Sequence, residues 1–469
     1  MSLAWRLARA LLLFAVIFAS YMMQLGLVRV LRREVTDPET KKTKRRVPGW
    51  LKLRRERVDT KNARRLLRGM LKLRGVYIKL GQVLSLMGGF LPRAFTTELE
   101  SLQDQVPPGP FRDVERAFRK SFDKTPEACF RDIERVPIAA ASLGQVHAAH
   151  LADGTKVAVK ILYPHIREII KVDMRVLGVV IRVYKWFFPF GNIERVHESL
   201  VDLLRRETDY LHEAACMERM AKNFAGDENI LFPSVIHEWT TRDVLTMTFM
   251  EGIKITRFDE LEKHGIDRRK LATRLVQSFY KQLFVDAFFH ADPHPGNFLV
   301  QAQANGEARI VVLDFGAISE VAPNVIDGAL EVLQALFTSD GDLVLRGFRR
   351  MGFVSEEGNK KLLEQTVMTY FRKLLKVDRS PDALMKADRK SLQELANPEV
   401  ERQELRELMR SFTYPDGWFY VERASVLMFW LCGQIDPALD TLNVGIPYVM
   451  PLVMMKQMAA AAAAPAAVG

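Results

Sequence analysis

Cysteine is scarce in this 469-residue chain: Cys129, Cys216 and Cys432 are odd in number and far apart. That excludes a disulfide framework and a cysteine-based zinc site, and it fits a reducing compartment. An internal repeat is also missing. Long apolar runs are few. Ala10–Val28 is uncharged, whereas Val449–Met455 is too short to cross a bilayer. Acidic residues are scarce at the N-terminus, where residues 1–74 hold 20 Lys/Arg against 5 Asp/Glu. The remaining 395 residues carry 48 basic and 52 acidic groups. The sequence pI of 9.4 is therefore an N-terminal property, which argues against a nucleic-acid partner for the nearly neutral body.

What is present points to a folded, multi-part chain. Hydrophobic residues make up 48%, with 28 Phe and 19 Met, enough to build cores. The length predicts about three units, or one two-lobed enzyme with extensions. Ala10–Val28 would form a helix of about 28 Å, close to bilayer thickness. Arg29, Arg32, Arg33 and the Lys41–Arg46 cluster follow it, as at the cytoplasmic flank of a membrane helix. Residues 1–33 are expected to be a spanning or deeply inserted anchor, with an interfacial helix or a cleaved or core helix as the alternatives. Residues 34–60 read as a basic linker and 61–125 as a helical extension. A strand-rich stretch over 126–250, a helical one over 251–445 and a tail over 446–469 complete the chain. Arg64, Arg65, Arg68 and Lys72 on the first predicted helix form a solvated face or a contact for anionic lipid.

Within 126–250, Val146–Leu151 and Lys156–Leu162 flank Asp153-Gly154, a strong hairpin signal. Val172–Phe188 and Glu194–Phe224 read as long helices, and Val235–Glu238 and Val244–Met250 as strands. His147 and His150, three apart on a strand, face opposite sides. His165 has no evident partner, so no zinc site is expected.

The chemistry gathers in three places. Val157-Ala158-Val159-Lys160 puts an ammonium on an apolar strand, which suits a phosphate better than packing. Asp292-Pro293-His294-Pro295-Gly296-Asn297 follows His290 and spaces Asp and Asn five apart, as in a kinase catalytic loop. His294 in this turn is expected to be structural. Asp314-Phe315-Gly316 ends the apolar strand Ile310–Leu313, with a hairpin tipped at Asn305-Gly306 in between. Two carboxylates and an amide on adjacent turns can hold hard cations against phosphate oxygens. A strand lysine also needs a carboxylate partner, for which Glu207, Asp209 and Glu213 are candidates. Glu207 and Asp209 cannot share a helical face.

These motifs, in this order, resemble the UbiB/ADCK family of atypical protein-kinase-like proteins over about residues 70–355. Lys79-Leu80-Gly81-Gln82 resembles its KxGQ signature, and Leu99 to Pro108 the segment after it. Pro137–His147 resembles its Ala-rich nucleotide loop and Glu207-Thr208-Asp209 its ExD motif. The stretch Leu86-Met87-Gly88-Gly89 lacks the arginine often found there. The resemblance implies an α+β, two-lobed protein-kinase-like fold, with extra N-terminal helices of the KxGQ region packed over the active site and excluding peptide substrates. It implies ATP and Mg²⁺ as cofactors. Lys160 would position phosphates with Glu213 as its ion-pair partner, and Asp292 would face the acceptor. Asn297 and Asp314 would hold metal. Ala139, Ala140, Ala141, Ser142 and Met250 would line the nucleotide. Alanines for glycines in that loop restrict the backbone, changing how nucleotide sits. Glu207 and Asp209 would face Lys79 and Gln82.

The family further implies a membrane-associated kinase or ATPase that supports isoprenoid-quinone biosynthesis or lipid handling. Its partners would be anionic and isoprenoid lipids and quinone-biosynthesis enzymes, with no nucleic acid. A small-molecule or lipid kinase and a nucleotide-switched scaffold are the alternatives. The expected location is a bacterial inner membrane with the body in the cytoplasm, or else an organellar membrane.

Overall fold

The computed structural model describes residues 3–31, 33–36, 43–46, 48–86, 92–102, 108–140, 142–187, 193–303, 307–355, 360–374, 411–413 and 415–463. In chain order, the elements begin with α1 (Leu3–Leu31), β1 (Arg33–Thr36), β2 (Thr43–Arg46), α2 (Gly49–Leu73), α3 (Val76–Leu86), α4 (Arg93–Glu100), α5 (Phe111–Phe122) and α6 (Pro126–Cys129). Next come β3 (Asp132–Ile133), β4 (Ala139–Ala140), β5 (Gly144–His150), β6 (Lys156–Leu162), α7 (Ile166–Phe187), α8 (Ile193–Glu207), α9 (Tyr210–Asn223), β7 (Ile230–Leu231), β8 (Val244–Thr248) and β9 (Ile253–Lys254). The rest are α10 (Phe258–Lys263), α11 (Arg268–Tyr280), β10 (Phe288–His290), β11 (Phe298–Ala302), β12 (Ala308–Val312), β13 (Ile318–Glu320), α12 (Pro323–Thr338), α13 (Gly341–Met351), α14 (Lys360–Leu374), α15 (Trp418–Ile435) and α16 (Thr441–Ala463). The chain divides into two compact units: residues 1–116, 136–146 and 162–188, and residues 117–135, 147–161 and 189–469.

The first unit is mainly helical. Among the described residues one helix, Ala4–Leu31, is long and apolar enough to cross a membrane. It does not stand alone. Ser20 accepts from Asn62, Tyr21 donates to Asp59, and Gln24 donates to the Leu51 carbonyl, all on α2. Near its start, Arg6 is buried and grips Asp173 of α7 through Nε at 2.8 Å and Nη2 at 2.5 Å. Arg6 also donates to the carbonyls of Leu73 and Arg74, satisfying acceptors that the end of α2 leaves open. Arg74 (φ 53°) and Gly75 (φ 59°) turn the chain there into α3. The face of α1 away from these contacts leaves Leu7, Leu11, Leu12, Val16, Met23, Leu25 and Val30 exposed.

Helix α2 begins at Gly49, so residues 49–60 are helix rather than linker. Its partner explains the difference: Leu51 and Asp59 are buried, and α1 holds both. Gly81 lets α3 approach closely, because a Cβ there would lie 2.3 Å from Leu102 Cδ1 and 2.9 Å from Met70 Sδ.

In the second unit, β6 pairs antiparallel with β8, Lys160 opposite Leu245, and β3 pairs antiparallel with β5, Asp132 opposite His150. The Asp153-Gly154 turn is present, with Gly154 at φ 87° and Thr155 N–H bonded to the Asp153 carboxylate. His147 is buried and His150 more open. A second sheet, β7-β12-β11-β9, carries the predicted hairpin between β11 and β12; its tip, residues 304–306, lies outside the described residues. Val235 makes a single bridge to Met247 before a 3₁₀ turn over His237–Trp239, so the strand expected at Val235–Glu238 is not formed. The expected helix Glu194–Phe224 breaks into α8 and α9. Thr208 Oγ bonds back to the Leu204 carbonyl, and Asp209 is extended at φ −128°. Helices α12 and α13 touch backbone to backbone at Gly328 and Gly347, where either Cβ would lie 2.5 Å from the other's carbonyl oxygen. The expected tail is mostly α16, with Val449 and Val453 buried.

Candidate active site

Lys160 sits on β6, whose other apolar residues fill both faces: Val157, Ala158, Val159, Ile161 and Leu162 are all buried. Its Nζ lies 2.6 Å from Glu213 Oε1 on α9 and 2.9 Å from Asp314 Oδ1 just after β12. The Tyr210 ring lies 5.4 Å from the same ammonium. Three separate elements of the second unit thus deliver one cation and two anions to one point. Glu213 is therefore the helix acid that pairs with the lysine.

Burial by itself would lower the Lys160 pKa, but Asp314 and Glu213 outweigh it and raise it well above its ordinary value. Asp314 stays ionised. Burial pushes its pKa up, and the Lys160 ammonium more than offsets this, holding it well below the usual carboxylate range. Glu213 has only 1% of its side chain exposed. Desolvation dominates there, and its pKa is pushed up to about 7. Two carboxylates share one ammonium, so the more buried acid takes up the proton. Gly316 lies among the acids, since a Cβ there would meet Glu213, Asp314 and Glu207 at 3.4–3.5 Å. Its N–H donates to Asp314 Oδ1, fixing the carboxylate at the strand end. Phe315 is fully buried against Phe232.

The loop after β10 is fixed mainly by its backbone. His290 N–H donates to the Gln282 side chain at 2.9 Å, and Ala291 N–H to the Ala317 carbonyl at 2.7 Å. The Asp292 carbonyl accepts from His294 N–H at 2.7 Å and from Asn297 Nδ2 at 3.0 Å. The latter bond orients the Asn297 amide and leaves its oxygen as the acceptor end. His294 turns its Nδ1 to Gly296 N–H, a local structural bond as expected. His290 is buried, which lowers its pKa and keeps the ring neutral. Asp292 Oδ2 is 2.6 Å from Nη2 of Arg423 on α15.

Other predicted residues take their places as follows. Lys79 is buried on α3 of the first unit; the Gln82 side chain lies outside the described residues. Ala139 and Ala140 form β4, paired with Val146 and Gln145. Ser142 is buried, and Ala141 lies outside the described residues. Met250 follows β8 and is half-buried. Glu207 ends α8, and Asp209 accepts from Arg242 Nε at 3.0 Å. Residues 87–89 lie outside the described residues. Sequence reasoning missed Arg423, Gln282 and Tyr210. Only Arg423 left a trace, as a charge that follows Glu422 inside the largely apolar run Trp418–Ile435.

Among the described residues no group of three His, Cys, Asp or Glu could enclose a metal. The donor set nevertheless fits Mg²⁺. An ionised carboxylate at Asp314 and an oriented amide at Asn297 are what this ion takes when phosphate oxygens supply further ligands. Bound there, it would neutralise charge building up on the transferred phosphoryl group.

A strand lysine paired to a helix glutamate, a loop Asp and Asn, and an Asp-Phe-Gly turn define a protein-kinase-like protein. The chain belongs to the ABC1 atypical kinase-like family, whose domain matches residues 101–347. It is 30% identical over 410 residues to the chloroplastic protein ACTIVITY OF BC1 COMPLEX KINASE 8 of Arabidopsis thaliana, covering 81% of this chain and 53% of that one. The probable protein kinase UbiB of Marinobacter nauticus is 32% identical over 297 residues, covering 63% and 54%. The chain spans about half the length of these curated relatives. Among solved structures, the Rv3197–erythromycin complex from Mycobacterium tuberculosis aligns at 23% identity over 83% of this chain and 99% of that one, with a TM-score of 0.47.

Proposed function

We propose that the chain is a membrane-associated atypical kinase or ATPase that uses Mg-ATP to support isoprenoid-quinone biosynthesis or lipid handling. The observation that carries the reading is Lys160 held between Glu213 and Asp314 at 2.6 and 2.9 Å. Lys160 would meet nucleotide phosphates, and its two carboxylates hold the ammonium in place beforehand. Asn297 and Asp314 would hold Mg²⁺, whose charge supplies the electrostatic stabilisation of phosphoryl transfer. Asp292 would orient the acceptor hydroxyl, which is water in the ATPase version. Ala139, Ala140, Ala141, Ser142 and Met250 would line the nucleotide. Lys79 and Gln82, with Glu207 and Asp209, would regulate access. The family resemblance supplies the quinone link.

Attachment to anionic lipid would use the exposed apolar face of α1 together with Arg57, Lys61, Arg68 and Lys72, which are exposed on α2. The expected site of action is the cytoplasmic face of a bacterial inner membrane. The test is Mg²⁺-dependent ATP hydrolysis by the full chain, with and without vesicles of neutral and anionic phospholipid. Lipid-stimulated turnover that disappears in Asp314→Asn supports the reading; full turnover in Asp314→Asn sinks it. Transfer of labelled phosphate to a lipid extract would identify the acceptor as a small molecule rather than water.

A further inference from the structure

Arg423 stands where an apolar residue is the usual occupant. Its side chain is 5% exposed on α15, among the buried apolar residues Ala424, Leu427 and Met428. Nη2 is committed to Asp292, while Nε and Nη1 are shut from solvent without a hydrogen-bond partner among the described residues. A guanidinium desolvated with donors unmet adds little to stability, and an apolar replacement of both partners of such a pair is often neutral or better. Arg423 also lies beyond residue 347, where the family domain ends. Protein kinases carry an arginine between the His and Asp of this loop. That position is Ala291 in this chain, and it is fully buried.

The backbone of the loop does not need Arg423. Gln282, Ala317, His294 and Asn297 already hold residues 290–292 through main-chain bonds. What the guanidinium adds is control of the Asp292 side chain. We infer that Arg423 is a positioning residue that fixes the carboxylate of Asp292, and through it the acceptor, for phosphoryl transfer. One carboxylate oxygen is committed to the arginine, so Asp292 meets the acceptor in a set orientation. This rests on the reading of Asp292 as the acceptor-facing aspartate.

The test uses the full chain, with ATP as substrate and vesicles of anionic phospholipid present. Arg423→Gln should lower kcat by about ten-fold or more with KM for ATP within about two-fold, the signature of an interaction felt in the transition state. Arg423→Lys should recover part of the loss. In an Asp292→Asn background, Arg423→Gln should cost less than about two-fold more, because coupled residues are non-additive. The inference is overturned if folded Arg423→Gln keeps the parent kcat, or if its loss is the same in both backgrounds. Failure of Arg423→Gln, Arg423→Lys and the double variant all to fold would also overturn it, making the arginine a structural counter-ion. Full turnover in Asp292→Asn and Asp314→Asn would instead sink the reading of the site itself.

Discussion

Glu213→Gln should make the metal-free protein more stable than its parent at pH 8 and not at pH 5. Glutamine keeps the shape of the carboxylic acid but cannot ionise. In the folded protein Glu213 has its pKa raised from 4.5 to about 7, so between those values the folded state binds more protons than the unfolded one. Stability contributed by this group is complete below pH 4.5 and is lost as pH rises through 7. At roughly 1.4 kcal/mol per tenfold change in proton affinity, the loss approaches about 3 kcal/mol at pH 8. The variant escapes that loss. Against this stands the altered bond to Lys160 at 2.6 Å, which costs about 1 kcal/mol. The net expectation is near-equality or slight destabilisation at pH 5 and a gain of about 2 kcal/mol at pH 8. Urea unfolding with EDTA present, read at both pH values, measures it. EDTA matters because a bound cation beside Asp314 would change the local charge. A variant less stable than its parent at pH 8 by as much as at pH 5 would refute the reasoning, showing Glu213 fully ionised against Lys160 at neutrality.

Gly328→Ala should cost about 3 kcal/mol and Gly81→Ala nearer 1 kcal/mol. The new methyl at 328 meets a backbone oxygen and the Met351 backbone nitrogen, whereas at 81 it meets the side-chain ends of Leu102 and Met70. Urea midpoints in the reverse order would contradict the packing argument. Arg6→Met should cost about 3–5 kcal/mol, because Asp173 is left buried without its partner, and hydrogen exchange in α2 and α3 should rise. On anionic vesicles, a protease site ahead of Leu3 and one at Trp50 should be cut from the same side. On the proposed interfacial attachment, the exposed cations of α2 would keep the α1–α2 pair out of the hydrocarbon. Protection of the first site alone would mean that α1 crosses the bilayer.

Much of the site is legible in the chain. Val-Ala-Val-Lys, Asp-x4-Asn and Asp-Phe-Gly are short because what each supplies is local. The first puts a lysine at a strand centre, the second closes a turn with an amide, and the third sets a carboxylate at a strand end. The Asp153-Gly154 turn and the β11–β12 hairpin are likewise set by neighbours in sequence. Hydrophobic period and length alone mark α1 as apolar.

The partnerships lie beyond that range. By spacing alone Glu207, Asp209 and Glu213 are equal candidates, and in sequence only the family resemblance singles out Glu213. Only the break at Thr208-Asp209, with α9 packed against β8, brings Glu213 to Lys160 and leaves Asp209 to Arg242. Residues 49–60 look like a charged linker until α1 lies along them and covers Leu51 and Asp59. Arg6 reads as the flank of a membrane helix, yet it is clamped to Asp173, 167 positions away. Arg423 likewise waits for the fold to bring it to Asp292. Local sequence determined the elements and the chemical groups, because backbone propensity and short motifs act over a few residues. Tertiary structure decided which charges meet, because a buried ion is tolerable only beside a partner, and that partner can come from anywhere in the chain.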